Sequence, residues 1–177
     1  MSGGRTGQRT LAVALALTLA QCGGSPKPAP RPPEPKGSPI DFLYGTTDGA
    51  ELSSSTTRGR ATALLFVTTY DLLSQLEARQ LDDVVRRHRP RANAGAIVLE
   101  TPKYAVLADS FKKTLGLSYP VAIADDETRQ GGGPFGRVAV VPTLVVLDRR
   151  GRETFRKPGL AAPRDIEQAL GRAERFD

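Results

Sequence analysis

Residues 61–74 read ATALLFVTTYDLLS, and the fold turns on them. The opening run, Ala61 to Thr69, is almost continuously apolar and carries β-branched residues, the pattern of a strand covered on both faces. It ends at Tyr70-Asp71, where an acid able to accept hydrogen bonds from free helix amides precedes an apolar series, Leu72, Leu73, Leu76, Leu81, Val84 and Val85, at helical spacing. Arg86, Arg87 and Arg89 suit the negative end of that helix, and Pro90 stops it. A buried central strand feeding a long helix is the expected nucleus.

Working outward from this unit, Ala94 to Leu99 is a second buried strand. Tyr104, Leu107, Ala108, Phe111 and Leu115 then follow the template of an amphipathic helix, which Gly116 ends. Pro120 to Ala124 is a short strand, and Asp125 to Gly136 a polar, glycine-rich loop. Val138 to Leu147 is another buried strand, interrupted by Pro142. Asp148-Arg149-Arg150-Gly151 is a hairpin turn into Glu153 to Phe155, and a last helix begins near Pro163 with Ile166 and Leu170 facing inward. Upstream, Asp48-Gly49 within Ile40 to Ser53 is a hairpin signal. This succession of strands and helices predicts an α/β domain over 39–175, a central mixed sheet with helices on both faces, preceded by an N-terminal hairpin.

The first 22 residues read as a bacterial signal peptide: Arg5 and Arg9, an apolar run from Leu11 to Ala20 too short to span a bilayer, then small or polar residues. Leu19-Ala20-Gln21-Cys22 is similar to the lipobox of bacterial lipoproteins, in which the cysteine is diacylated and becomes the new N-terminus. Gln21 departs from the usual small residue, so simple cleavage after Ala20, giving a soluble periplasmic or secreted protein, is the alternative. Residues 23–38, rich in Pro, Gly and Ser, form the expected disordered or polyproline tether. Gly23 lacks the aspartate that, in lipoproteins, holds the chain in the inner membrane. The expected location is therefore the cell envelope, facing the periplasm from the outer membrane through a lipid anchor on Cys22.

Composition narrows the remaining chemistry. The chain has 177 residues and a formal charge of +6; losing Arg5 and Arg9 with the leader leaves 23 basic against 19 acidic residues, a mild excess. These charges are interleaved along the sequence, without a basic arm or aromatic stacking motif, so nucleic acid is not an expected partner. Cys22 is the only cysteine and His88 the only histidine, which leaves no disulfide within the domain and no metal-ligand spacing of the zinc or copper type. Gly131-Gly132-Gly133-Pro134-Phe135-Gly136 lacks the Lys-Ser/Thr of a phosphate loop and is read as a flexible loop, His88 as a solvated helix end. No Ser/His/carboxylate triad follows from spacing, and no cofactor is expected.

The order of elements and three local sequences resemble the redoxin branch of the thioredoxin superfamily, which contains TlpA-like thiol oxidoreductases and AhpC/TSA-type peroxiredoxins. Asp41-Phe42, Thr47-Asp48-Gly49 and Arg58-Gly59-Arg60 resemble its opening hairpin. Leu65 to Tyr70 resembles its strand ending in an aromatic residue, and Val141 to Asp148 followed by Gly151 its cis-proline strand and turn.

The resemblance implies a cis bond at Pro142 and a peptide-holding groove formed by Tyr70, Asp71, Ser74, Val141, Pro142 and Thr143. In active relatives the aromatic residue is followed by Cys-x-x-Cys, whose first thiol is activated by the helix end. Here those positions are Asp71-Leu72-Leu73-Ser74, which hold no sulfur to form or resolve a mixed disulfide. Nor does the peroxidatic pattern survive: Thr68 is in place, but the cysteine is Asp71 and the proline Leu64. Asp71 is read as a helix cap and no residue as catalytic. The expected function is a redox-inactive binding or scaffold module with an envelope protein or peptide as partner; the alternative is an oxidoreductase or peroxiredoxin-like enzyme with a non-standard site.

Overall fold

The structure, a computed structural model, describes residues 37–176 together with Met1 and Gly3. The rest of the leader, Cys22 and all but the end of the tether lie outside the described residues. In chain order the elements are β1 (Leu43–Gly45), β2 (Glu51–Ser53), α1 (Ser54–Thr57), β3 (Ala61–Val67), α2 (Leu72–His88), β4 (Ala92–Val98), a 3-10 turn (Pro102–Tyr104), α3 (Ala105–Leu115), β5 (Val121–Ile123), α4 (Asp126–Arg129), β6 (Thr143–Leu147), β7 (Glu153–Pro158) and α5 (Pro163–Ala173).

β1 and β2 form the antiparallel hairpin, and the main sheet runs β5-β4-β3-β6-β7 with β3 in the middle. β3 lies parallel to β4 and antiparallel to β6, in a register that pairs Leu65 with Ala96 and with Leu144. All seven residues of β3 are buried, because its alternate side chains enter two separate cores. Ala61, Ala63, Leu65 and Val67 meet α2, α3 and α5 on one face. Leu64 and Phe66 meet Phe42, Tyr44, Leu52 and Phe135 on the other.

Helices thus lie on both faces, unevenly. The successive crossovers β3-α2-β4 and β4-α3-β5 step the same way along the sheet, and their shared hand puts both helices on one side. The second face is closed by the hairpin and by α4, whose Thr128 hydroxyl bonds Tyr44 OH at 2.9 Å. The close seat of the hairpin explains Gly95: a Cβ there would lie 2.5 Å from Leu52 Cδ2.

Several expectations are corrected. Strand pairing begins at Thr143, not at Val138, since Pro142 has no N–H for a ladder and 138–142 is irregular backbone. A short helix, α4, capped by Asp125, occupies part of the expected loop 125–136. Leu72, Leu73 and Leu76 do not face the core: they are exposed, as are Tyr104 and Leu107, while Leu81, Val84 and Val85 are buried. His88 is not solvated but buried, its Nδ1 lying 2.6 Å from Glu174 Oε1, a partner supplied by the last turn of the chain.

Candidate functional site

The candidate site forms where β3 stops and β6 starts. Because Phe66 pairs with Thr143, residues 68–71 and residues 140–142 leave the sheet at the same edge. The Val141–Pro142 bond is cis. The Pro142 carbonyl accepts from Gly159 N–H at 2.8 Å, and the Thr143 hydroxyl donates to the Val140 carbonyl at 2.6 Å, so this side is fixed by its own backbone. Across from it, the Thr69 N–H and hydroxyl donate to Glu100 Oε1 at 2.5 and 2.8 Å, and Gln75 Nε2 donates to the Thr69 carbonyl at 2.9 Å. Held on both sides, the loop sends the Tyr70 ring outward, 77% exposed.

Asp71 caps α2. Its Oδ2 accepts from Ser74 N–H and from the Ser74 hydroxyl, each at 2.7 Å. Ser74 is fully buried, and its oxygen also accepts from Thr68 N–H at 3.4 Å. The bond from the Ser74 hydroxyl is the main reason that the Asp71 carboxyl lies below its ordinary pKa, helped by the amides of the first turn. The two positions at which active relatives carry sulfur are therefore engaged with each other by hydrogen bonds. Asp71 stays an ionised acceptor to which the Ser74 hydroxyl is committed, and His88, the histidine of the chain, sits 14 residues further along α2, about 20 Å away.

Of the six residues expected to line a groove, Tyr70 is exposed, Asp71 and Val141 are half-buried, and Ser74, Pro142 and Thr143 are buried. The accessible rim is more apolar than expected. Leu72, Leu73 and Leu76 stand on the first turns of α2, and Val140 and Leu160 flank Pro142, all exposed. Leu160 is brought there by its neighbours: Gly159 bonds Pro142, and Ala161 N–H donates to Glu77 on α2 at 3.1 Å.

Glu77 itself escaped the sequence reading. It is completely buried, Oε2 takes the Ala161 amide, and Oε1 has no partner. Burial raises its carboxyl to about 7, against the pull of the Ala161 bond and of Lys157. The available signal was its place on the helical face of Ser74, Ala78 and Leu81, where an acid is out of character. Among the described residues no group of His, Cys, Asp and Glu is placed to hold a metal ion.

A cis-proline strand beside the N-terminus of a long helix, at the edge of a five-stranded mixed sheet, defines the thioredoxin-like fold, and this domain has it. Solved structures agree. A thiol:disulfide interchange protein of the thioredoxin family from Chlorobium tepidum superposes with a TM-score of 0.63 at 24% identity, over 82% of this chain and 99% of that one. A secreted Mycobacterium tuberculosis disulfide oxidoreductase homologous to Escherichia coli DsbE gives 0.61 at 18%, over 73% and 94%. The pneumococcal exposed lipoprotein thioredoxin of Streptococcus pneumoniae gives 0.59 at 21%, over 74% and 98%. No family model and no curated protein matches the sequence. Among the described residues, no helix is long and apolar enough to cross a membrane.

Proposed function

We propose that this chain is an envelope lipoprotein whose thioredoxin-like domain holds a peptide or protein segment and performs no thiol chemistry. The observation that carries the reading is the Asp71–Ser74 pair, which closes the helix start with hydrogen bonds where exchange would need a thiolate. The exposed apolar rim of Tyr70, Leu72, Leu73, Leu76, Val140 and Leu160 supports it, since an apolar surface of this kind suits contact with a partner segment. Anchoring at Cys22 and an outer-membrane location are part of the same proposal. So is the partner class, which excludes nucleic acid.

The test is crosslinking in cells from a photoreactive amino acid at position 70. One or a few envelope proteins should be captured, and capture should vanish in a Leu72→Ser, Leu76→Ser background. Indiscriminate labelling that this background leaves unchanged would end the proposal.

The names of the similar structures favour a second reading, a thiol-disulfide oxidoreductase in which Cys22 supplies the thiol. It requires a free Cys22, so the mass of the mature N-terminal peptide decides between the two. An acylated cysteine removes the last sulfhydryl, whereas disulfide turnover abolished by Cys22→Ser would establish the enzyme.

A further inference from the structure

The end of the sheet opposite Tyr70 gathers charges that are scattered in the sequence. Arg58 and Arg60 precede β3, Arg89 and Arg91 join α2 to β4, and Arg149 and Arg150 form the β6–β7 turn; all six are exposed. Backbone bonds draw these segments together: Gly59 N–H donates to the Arg149 carbonyl at 2.8 Å, and Arg149 Nε returns a bond to the Gly59 carbonyl at 3.2 Å. Two hollows open here, sharing Arg60 and Pro90. One, of about 340 Å³, also has Arg91 and Arg149 in its wall, and the other, of about 350 Å³, has Arg89 and Ser118.

Carboxylates take two of these arginines, Arg58 and Arg91, and leave Arg60 and Arg89 without an acidic partner among the described residues. Asp41 is taken by Arg58 at 2.5 Å, Glu174 is shared between His88 and Arg91, and Asp148 is buried against Arg152. Arg60 and Arg89 are held by neutral groups, the Asn93 Oδ1 at 3.4 Å and the Ser118 carbonyl and hydroxyl at 3.1 and 2.9 Å. The chain also joins the domain at this end. Ile40 N–H donates to the Gly151 carbonyl at 2.9 Å, in the turn that carries Arg149 and Arg150, and Arg58 lies beside the same glycine.

We propose that this arginine-lined end seats the anionic phospholipid headgroups of the membrane to which the chain is tethered, leaving the Tyr70 rim facing away from the lipid. The inference rests on the anchored reading of Cys22 and residues 23–38. Guanidinium forks match phosphate oxygens in pairs, and their shared surface is concave, as a headgroup seat needs to be. A tether joining at the same end keeps headgroups at high local concentration, so a weak attraction suffices to orient the domain.

The experiment uses the mature chain from residue 22 with Cys22→Ser, so that neither leader nor acyl group contributes, in sedimentation with vesicles of phosphatidylcholine alone or mixed with phosphatidylglycerol. Binding is expected only to the mixed vesicles and should fall as salt is added. At roughly fivefold per arginine, Arg60→Gln, Arg89→Gln, Arg150→Gln together should weaken it about 100-fold. The charge-conserving Arg60→Lys, Arg89→Lys, Arg150→Lys variant should fall between the parent and the glutamine variant, keeping the charge but losing the paired contacts, and this pair separates lost charge from lost fold. Arg79→Gln, Arg137→Gln, Arg164→Gln, which removes the same charge away from this end, should leave it unchanged. Equal binding to neutral vesicles, or an equal loss in that control, overturns the proposal. Because the assay is blind to acylation, an unmodified Cys22 found by mass would refute the anchor and leave the result for this surface standing.

Discussion

Helix α2 connects two ends of unlike character. Its first turn carries Leu72, Leu73 and Leu76 into solvent beside Tyr70, and its capping acid is spent on Ser74. Its last turn carries Arg86 and Arg87 and leads to Arg89. The first end keeps the frame in which thioredoxin-like proteins place their reactive thiols, with apolar side chains around it and no sulfur. At the other end exposed cations gather near the point where the chain joins the domain. The contrast separates frame from side chains: the frame depends on β3, β6 and the cap, and it stands here with Asp71 and Ser74 at the helix start.

The largest effect should come from restoring those two. With Cys22→Ser as background, Asp71→Cys with Ser74→Cys should form a disulfide at the helix start when oxidised and, as the dithiol kept reduced by added dithiothreitol, reduce an insulin disulfide, taking activity from none to measurable. A folded variant that forms the bond but turns nothing over would mean that more than sulfur separates this end from an active one.

Glu77 lies between the ends and ties α2 to residue 161. Its carboxyl ordinarily titrates near 4.5 and in the fold near 7, so between those values the folded chain keeps a proton that the unfolded chain has released. Stability should therefore fall as pH rises from about 4.5 to about 7 and level off above. Glu77→Gln, a stand-in for the protonated acid, should remove that slope and raise Tm at pH 8 by several degrees, read by thermal melts. An unchanged slope would place the titrating group elsewhere.

Asp71→Ala should cost about 1 kcal/mol in denaturant unfolding, the usual worth of a lost cap. The smallest effect is expected from Leu72→Ser with Leu76→Ser. Stability should stay within about 0.5 kcal/mol of the parent, as for surface positions, while capture from position 70 is lost. A large destabilisation would mean that these leucines are structural and the apolar rim is not a contact surface.

Local rules made much of this legible in the sequence. A doubly buried strand, an acid placed to cap, a helix stopped before Pro90 and Gly116 in the left-handed region are decided within a few residues, and the structure has them all. The cis bond at Pro142 followed from resemblance. What stayed hidden depends on residues far apart in the chain. Helical periodicity marks an apolar stripe but not where the sheet beneath it ends, and α2 begins beyond that edge, leaving Leu72, Leu73 and Leu76 uncovered. The partner of His88 is 86 residues away, and that of Glu77 is 84. Arginines that look evenly dispersed along the chain become neighbours only after β3, β4 and the β6–β7 turn have been aligned.

The clasp between Asp71 and Ser74 has a consequence for how the protein would behave in an oxidising compartment. A dithiol there opens and closes with the electron supply, and its grip on a partner changes with it. Two oxygens joined through a proton have no second oxidation state, so this end keeps a single shape whatever oxidant or reductant surrounds it. Under the proposed binding role, occupancy would then follow only how much partner is present.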